Sequence, residues 1–132
     1  MEATPIESTK KILLVVDDSP EVAFTARCCL QTRFERVFTT TSPKQAAYFL
    51  KTRPITHLLC DLELDSDGET TLSGLNYAAK WREDFPHLQR IIIYTGKDIG
   101  DITIPFCIDD IVPKMAGMDR IANALLGDAN QD

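Results

Sequence analysis

The sequence predicts an α/β protein: a doubly wound five-stranded parallel sheet with helices on both faces. Two observations carry that reading. Short apolar runs alternate with segments of helical period, the βα repeat that builds a parallel sheet. Four of the runs also end on isolated polar residues: Asp17-Asp18 after Ile12 to Val16, Asp61 after Leu58-Leu59-Cys60, Thr95 after Ile91 to Tyr94, and Lys114 after Ile111-Val112-Pro113. Strands buried on both faces read as continuous apolar runs, and ligands of open α/β sheets bind beyond the carboxyl ends of the strands. The four signals should therefore converge.

In chain order, strands are expected near 11–16, 36–40, 56–60, 90–94 and 108–112. The first helix has Ser19 as N-cap and Pro20 in its first turn, with Val22, Ala26, Cys29 and Leu30 on one stripe. The second opens with Ser42-Pro43-Lys44-Gln45, a capping-box pattern with proline at its first position, and should bury Ala46, Ala47 and Leu50. A third runs from about Ser73 to Glu83 with Leu75, Ala78 and Ala79 inward, and Pro86 stops it. Between Thr95 and Lys114, Gly96, Gly100 and Pro105 interrupt Ile99, Ile102 and Ile104, so a fourth helix is expected to be short, distorted or absent. The last helix, 117–126, carries Ile121, Ala122, Leu125 and Leu126. Residues 10–126 read as one domain, with 1–9 and 127–132 as flexible ends.

The 132 residues are enough for one core without staples. Fourteen basic against 20 acidic residues give a formal charge of -6, with acidic residues bunched over 61–69 and at the C-terminal end. Phosphate-backbone binding draws on clustered Lys and Arg, so direct contact with nucleic acid is not expected. The chain shows no appended helix-turn-helix pattern either. Cys28, Cys29, Cys60 and Cys107 lack C-x-x-C spacing and read as reduced core thiols rather than metal ligands. Residues 1–9 lack a signal-peptide pattern and no apolar run approaches the ~18 residues of a membrane span, so a cytoplasmic protein without membrane contact is expected.

A cluster of three carboxylates, one hydroxyl and one ammonium is electrostatically unbalanced until a cation joins it. A hard divalent ion with oxygen ligands, Mg2+ or Mn2+, suits that donor set.

Through the acidic pair Asp17-Asp18, Asp61, the Thr95-Gly96 pair and Lys114, the chain resembles the receiver domain of two-component response regulators, over roughly residues 10–126. The resemblance implies a flavodoxin-like sheet of strand order 2-1-3-4-5. It also implies that Asp61 is the phosphoacceptor, taking a phosphoryl group from a phosphohistidine, with Thr95 and Lys114 contacting phosphoryl oxygens. Asp17, Asp18, Asp61 and the backbone carbonyl of Glu63 would hold the metal ion. A histidine kinase or histidine phosphotransfer protein would be the donor, and a downstream protein the target. The chain would be a single-domain regulator, monomeric or weakly dimeric, able to catalyse its own phosphorylation and dephosphorylation. The competing reading is a degenerate, phosphorylation-independent receiver that acts as a protein-binding module.

The chain departs from that family in three places. Receiver domains usually follow the lysine with proline across a cis bond, whereas Lys114 is followed by Met115 and preceded by Pro113. A cis bond before a non-proline residue costs ~3 kcal/mol, so a trans Lys114-Met115 bond is expected and the aim of Lys114 becomes an open question. Ile111 stands where many members carry Tyr or Phe. The segment after Asp61 is long and acidic, with Glu63, Asp65, Asp67 and Glu69, and a Glu63–Lys97 ion pair could close over the site. That segment also imitates two other motifs. Asp65-Ser66-Asp67-Gly68 resembles the start of a haloacid-dehalogenase phosphatase motif but sits at the wrong place in the fold, and an EF-hand starting at Glu63 would need glutamate where Gly74 stands.

Overall fold

The computed structural model describes residues 10–64, 73–96 and 107–127. Five parallel strands form one sheet: β1 (Ile12–Val16), β2 (Arg36–Thr40), β3 (His57–Asp61), β4 (Arg90–Thr95) and β5 (Asp110–Pro113), in the order β2-β1-β3-β4-β5. The four described helices are α1 (Pro20–Leu30), α2 (Pro43–Thr52), α3 (Ser73–Asp84) and α4 (Met118–Leu126), and a 3-10 turn (Lys114–Ala116) joins β5 to α4. This is the expected class and strand order. The segment where an irregular helix is expected between β4 and β5 lies outside the described residues, as do Lys97, Asp65, Asp67 and Glu69 and, of the ends expected to be flexible, 1–9 and 128–132.

Two cores sandwich the sheet, and strand alternation assigns residues to them. On one face Leu14, Val16, Leu58, Cys60, Ile91, Ile93 and Ile111 pack under Ala46 and Leu50 of α2 and Leu75, Ala78 and Trp81 of α3. On the other, Leu13, Val15, Leu59, Ile92, Tyr94 and Val112 pack under Ala23, Ala26 and Leu30 of α1 and Ile121, Ala122 and Leu125 of α4. Because β1, β3 and β4 are covered on both faces, their sequences lack polar alternation.

The helix starts follow their sequence signals closely. Ser19 Oγ accepts from Val22 N at 3.3 Å with Pro20 opening α1. At α2, Ser42 Oγ accepts from Gln45 N at 3.2 Å, but Gln45 does not return to Ser42 N. That N–H goes to Thr40 Oγ1 at 3.1 Å, and Gln45 Oε1 receives the Thr40 hydroxyl, so the capping box is half formed. Three expectations need correction: Cys29 is exposed rather than part of the α1 stripe, and Ala47 and Ala79 are only partly covered. In α1 the inward positions are Ala23, Ala26 and Leu30, a stripe that keeps Ala26 and Leu30 but is turned by about 50°, half of one residue's 100° step, and leaves Cys28 and Cys29 facing out. All four cysteines are free, and only Cys60 is a buried core thiol.

Candidate functional site at the carboxyl edge of the sheet

The chain turns back on itself between β1 and β3: β2 lies on one side of β1, and the later strands extend from the other. Such a reversal opens a crevice at the carboxyl ends of the two strands. Asp17 and Asp18 directly follow β1 on one side of it, and Asp61 ends β3 on the other.

Asp17 is fully buried and fully engaged. Its Oδ1 accepts from Ser19 N at 2.8 Å, which also helps to start α1. Its Oδ2 accepts from Tyr94 Oη at 2.7 Å and from Lys114 Nζ at 3.0 Å, and its own N–H donates to Thr40 O at 3.1 Å. Lys114 Nζ also lies 3.5 Å from Asp61 Oδ1 and 4.7 Å from the centre of the Tyr94 ring. Asp18 is exposed at the mouth. One carboxylate oxygen from each of Asp17, Asp18 and Asp61 lies within 4.8 Å of the other two.

Asp61 is nearly buried, and desolvation followed by the charge of Asp17 pushes its carboxyl from 3.8 up to about 6, against the opposing pull of Lys114 and the N–H of Glu63. That backbone N–H sits 3.5 Å from Asp61 Oδ1. Burial and Asp17 push the Tyr94 phenol far upward as well, so it is a neutral donor. Cys60 lies directly behind the site, its thiol held protonated by burial and by the charges of Asp61 and Asp17.

The residues singled out from sequence thus separate into groups. Asp17, Asp18, Asp61 and Lys114 come together. Thr95 is buried at the end of β4, paired in register with Pro113 and on the opposite alternation from Tyr94. Glu63 is placed by its N–H toward Asp61, while Lys97, its expected ion-pair partner, lies outside the described residues. Lys114 reaches both carboxylates from a trans backbone; no cis peptide bond occurs among the described residues.

Two contributors escaped the sequence reading. Tyr94 counted there only as the end of an apolar run, yet it is the register partner of Asp61 and the second donor on Asp17. Gly74 was passed over at the start of α3. Its N–H donates to Leu62 O at 2.7 Å, and a Cβ there would stand 1.9 Å from the Asp61 carbonyl oxygen. The first turn of α3 therefore presses on the backbone that carries Asp61, and only glycine permits that approach. A glycine two residues past the predicted loop was the available signal.

The donor set fits a hard divalent cation. Three carboxylates face one ammonium, and an octahedral ion with bonds of about 2.1 Å spans at most about 4.2 Å between opposite ligands, so a small contraction or one bridging water closes the site.

No protein-family model matches the sequence, and no curated protein matches it. Solved structures do. A response regulator protein from Burkholderia pseudomallei, determined with a phosphorylated aspartic acid, calcium ion and citrate, is 24% identical with a TM-score of 0.69, covering 88% of this chain and 66% of that one. The response regulator TrrA from Thermotoga maritima, in complex with Mg(2+)-BeF, is 22% identical with a TM-score of 0.73, over 89% and 97% of the two chains. The N-terminal signal receiver domain of a two-component system response regulator from Bacteroides fragilis is 21% identical with a TM-score of 0.75, over 94% and 100%. With its sheet order and two-faced helical cover, the chain has the fold of the response regulator receiver domain.

Proposed function

We propose that the chain is a phosphoacceptor receiver domain in which Asp61 takes a phosphoryl group from the phosphohistidine of a histidine kinase or phosphotransfer protein. The convergence of Asp17, Asp18, Asp61 and Lys114 in the crevice between β1 and β3 carries this reading. In the step itself an Asp61 oxygen attacks phosphorus as the P–N bond breaks. The imidazole departs with the electron pair and takes up a proton, and an acyl phosphate remains.

Phosphoryl transfer asks mainly for positioning and charge balance. Asp18 and Asp61, with Asp17 directly or through water and the Glu63 carbonyl, would hold Mg2+ or Mn2+, which when bound offsets the charge on carboxylates and phosphoryl oxygens. Asp61 is held at the crevice floor by the β3 register and by Gly74. Lys114 sits beside it as the fixed cation for a phosphoryl oxygen, and the Thr95 hydroxyl serves another. The signal would pass by phosphorylation-dependent contact with a downstream protein, through a population shift in the loops at this edge. The domain acting over 10–126 is monomeric or weakly dimeric in this reading, and works in the cytoplasm; no described helix is long and apolar enough to cross a membrane.

The test is intact-mass spectrometry after incubation with acetyl phosphate, with and without Mg2+, on the wild type and on Asp61→Asn. One Mg2+-dependent phosphoryl adduct, missing from the variant, is the expected result. No adduct under conditions that label an ordinary receiver would replace this reading with that of a phosphorylation-independent binding module, which the tighter pairing of Lys114 with Asp17 than with Asp61 would then explain.

A further inference from the structure

Asp17 Oδ2 holds two donors at once, the Tyr94 hydroxyl at 2.7 Å and Lys114 at 3.0 Å. Asp17 has no exposed surface, so bulk solvent does not freely replace a donor that leaves its Oδ2, beside the ion that Asp17 would reach directly or through a single water. Lys114 is the one that has to leave, or at least share itself, when phosphoryl oxygens appear on Asp61. A buried carboxylate oxygen stripped of its donor carries a large desolvation penalty, and that penalty would oppose the movement of the lysine. Tyr94 removes it. Its ring is fully buried in the core under α1 and α4, fixed on β4 opposite Asp61, and cannot follow the lysine. The ring centre lies 4.7 Å from Nζ, which sits over the ring, so the ammonium rests on an attractive surface between the two carboxylates.

Resting on the phosphoacceptor reading, we propose that Tyr94 is a positioning residue that lets Lys114 pass from Asp17 to a phosphorylated Asp61: its hydroxyl keeps Asp17 paired while its ring carries the ammonium. Because Asp17 is also among the carboxylates that would hold the ion, the lysine-free background and a titration with Mg2+ alone separate an effect on the lysine's exchange of partners from one on capture of the metal.

Calorimetric titration with beryllofluoride as the phosphoryl mimic tests this on the full chain, using the wild type, Tyr94→Phe, Lys114→Met and the double variant. The cycle isolates the coupling between the two side chains. Loss of the hydroxyl should weaken beryllofluoride binding in the presence of Mg2+ about tenfold where Lys114 is present and less than about twofold where it is methionine, as expected of a hydrogen bond to a charged group. Affinity for Mg2+ alone should stay within about threefold. Wild-type affinity in Tyr94→Phe, or the same loss in both lysine backgrounds, overturns the proposal, the latter because a merely structural tyrosine would not distinguish them. A second measurement needs no variant: on beryllofluoride binding to the wild type, the Tyr94 hydroxyl proton should stay in slow exchange while the Lys114 side-chain resonance shifts. A lost hydroxyl proton or an unmoved lysine also overturns it. A wild type that takes no phosphoryl group on Asp61 and binds no beryllofluoride sinks the phosphoacceptor reading itself, and this proposal with it.

Discussion

Replacing the acceptor should make the protein more stable at neutral pH. Asp61 is held at the bottom of a crevice beside a buried carboxylate, and its carboxyl is raised from 3.8 to about 6. The native state therefore binds the proton more tightly than the unfolded chain, so the stability this group supplies is full below about pH 4 and is lost as pH rises through about 6. The rise from 3.8 to about 6, at 1.36 kcal/mol per tenfold change in proton affinity, amounts to about 3 kcal/mol by pH 8. Asparagine resembles the protonated acid in shape and carries no charge at any pH. In the absence of divalent ions, Asp61→Asn should match the wild type near pH 4 and exceed it by up to about 3 kcal/mol at pH 8.

The difference between the two proteins has to be measured, because the raw pH profile of the wild type hides it. His57 is buried against the edge of Phe34, and desolvation together with Lys11 and Arg90 lowers its pKa from 6.5 to about 4. Its contribution has the opposite slope: full above about pH 6.5 and lost as pH falls toward 4. The two titrations nearly cancel between pH 4 and 6.5, whereas in Asp61→Asn the histidine slope stands alone. Urea denaturation followed by fluorescence of Trp81, the single tryptophan and a core residue on the inner face of α3, reports the global transition. Adding Mg2+ should stabilise the wild type and not the variant. A variant less stable than the wild type at pH 8 would refute the reasoning, since the Lys114–Asp61 attraction would then outweigh the burial and the repulsion from Asp17.

Two further substitutions probe how the site is held. Gly74→Ala should cost about 3 kcal/mol in the same urea assay and slow phosphorylation of Asp61 by acetyl phosphate, because the added carbon meets backbone at 1.9 Å and no side chain can yield. Asp109→Ala should cost about 1 to 2 kcal/mol without abolishing phosphorylation: Asp109 Oδ2 accepts from Ile91 N and Arg82 Nη2, each at 2.8 Å, tying β4 to α3 far from the crevice.

The parts of the fold that were legible in sequence are those with local causes. Ser19-Pro20 and Ser42-Pro43 start helices because each serine caps one and each proline needs no donor there. The strand runs were visible because β1, β3 and β4 are covered on both faces. That same double cover erased the alternation that tells one face from the other, which is why Tyr94 passed as one more apolar residue. Cys29 is out of place for a related reason: turning the stripe by about 50° exchanges Cys29 at one border for Ala23 at the other, and both are small and weakly apolar. Gly74 gave only its position just inside a helix start as a local signal, since the contact that demands glycine comes from residues 12 to 13 positions earlier in the chain.

Counting in twos recovers what hydropathy lost. From Leu13 and Val15 the alternation of β1 leads to Asp17; from Leu59 that of β3 leads to Asp61; Ile92 leads to Tyr94 and Val112 to Lys114. All four leading positions belong to the α1 and α4 face, and the register sets Asp61 opposite Tyr94. Apart from Asp18, exposed at the mouth on the other alternation, the functional cluster is thus the last layer of one core, in which polar side chains replace the apolar residues of the layers below. Thr95 falls on the other alternation, with Ile91 and Ile93. This also accounts for a lysine that reaches its partners without the proline that receiver domains usually place after it. Pro113 ends β5 at the sheet edge, where its missing donor is not needed by a further strand. Met115 is 91% exposed and packs on nothing that could aim its neighbour. Lys114 is directed from the other side, by the face of Tyr94 and the two carboxylates that its alternation brings within reach.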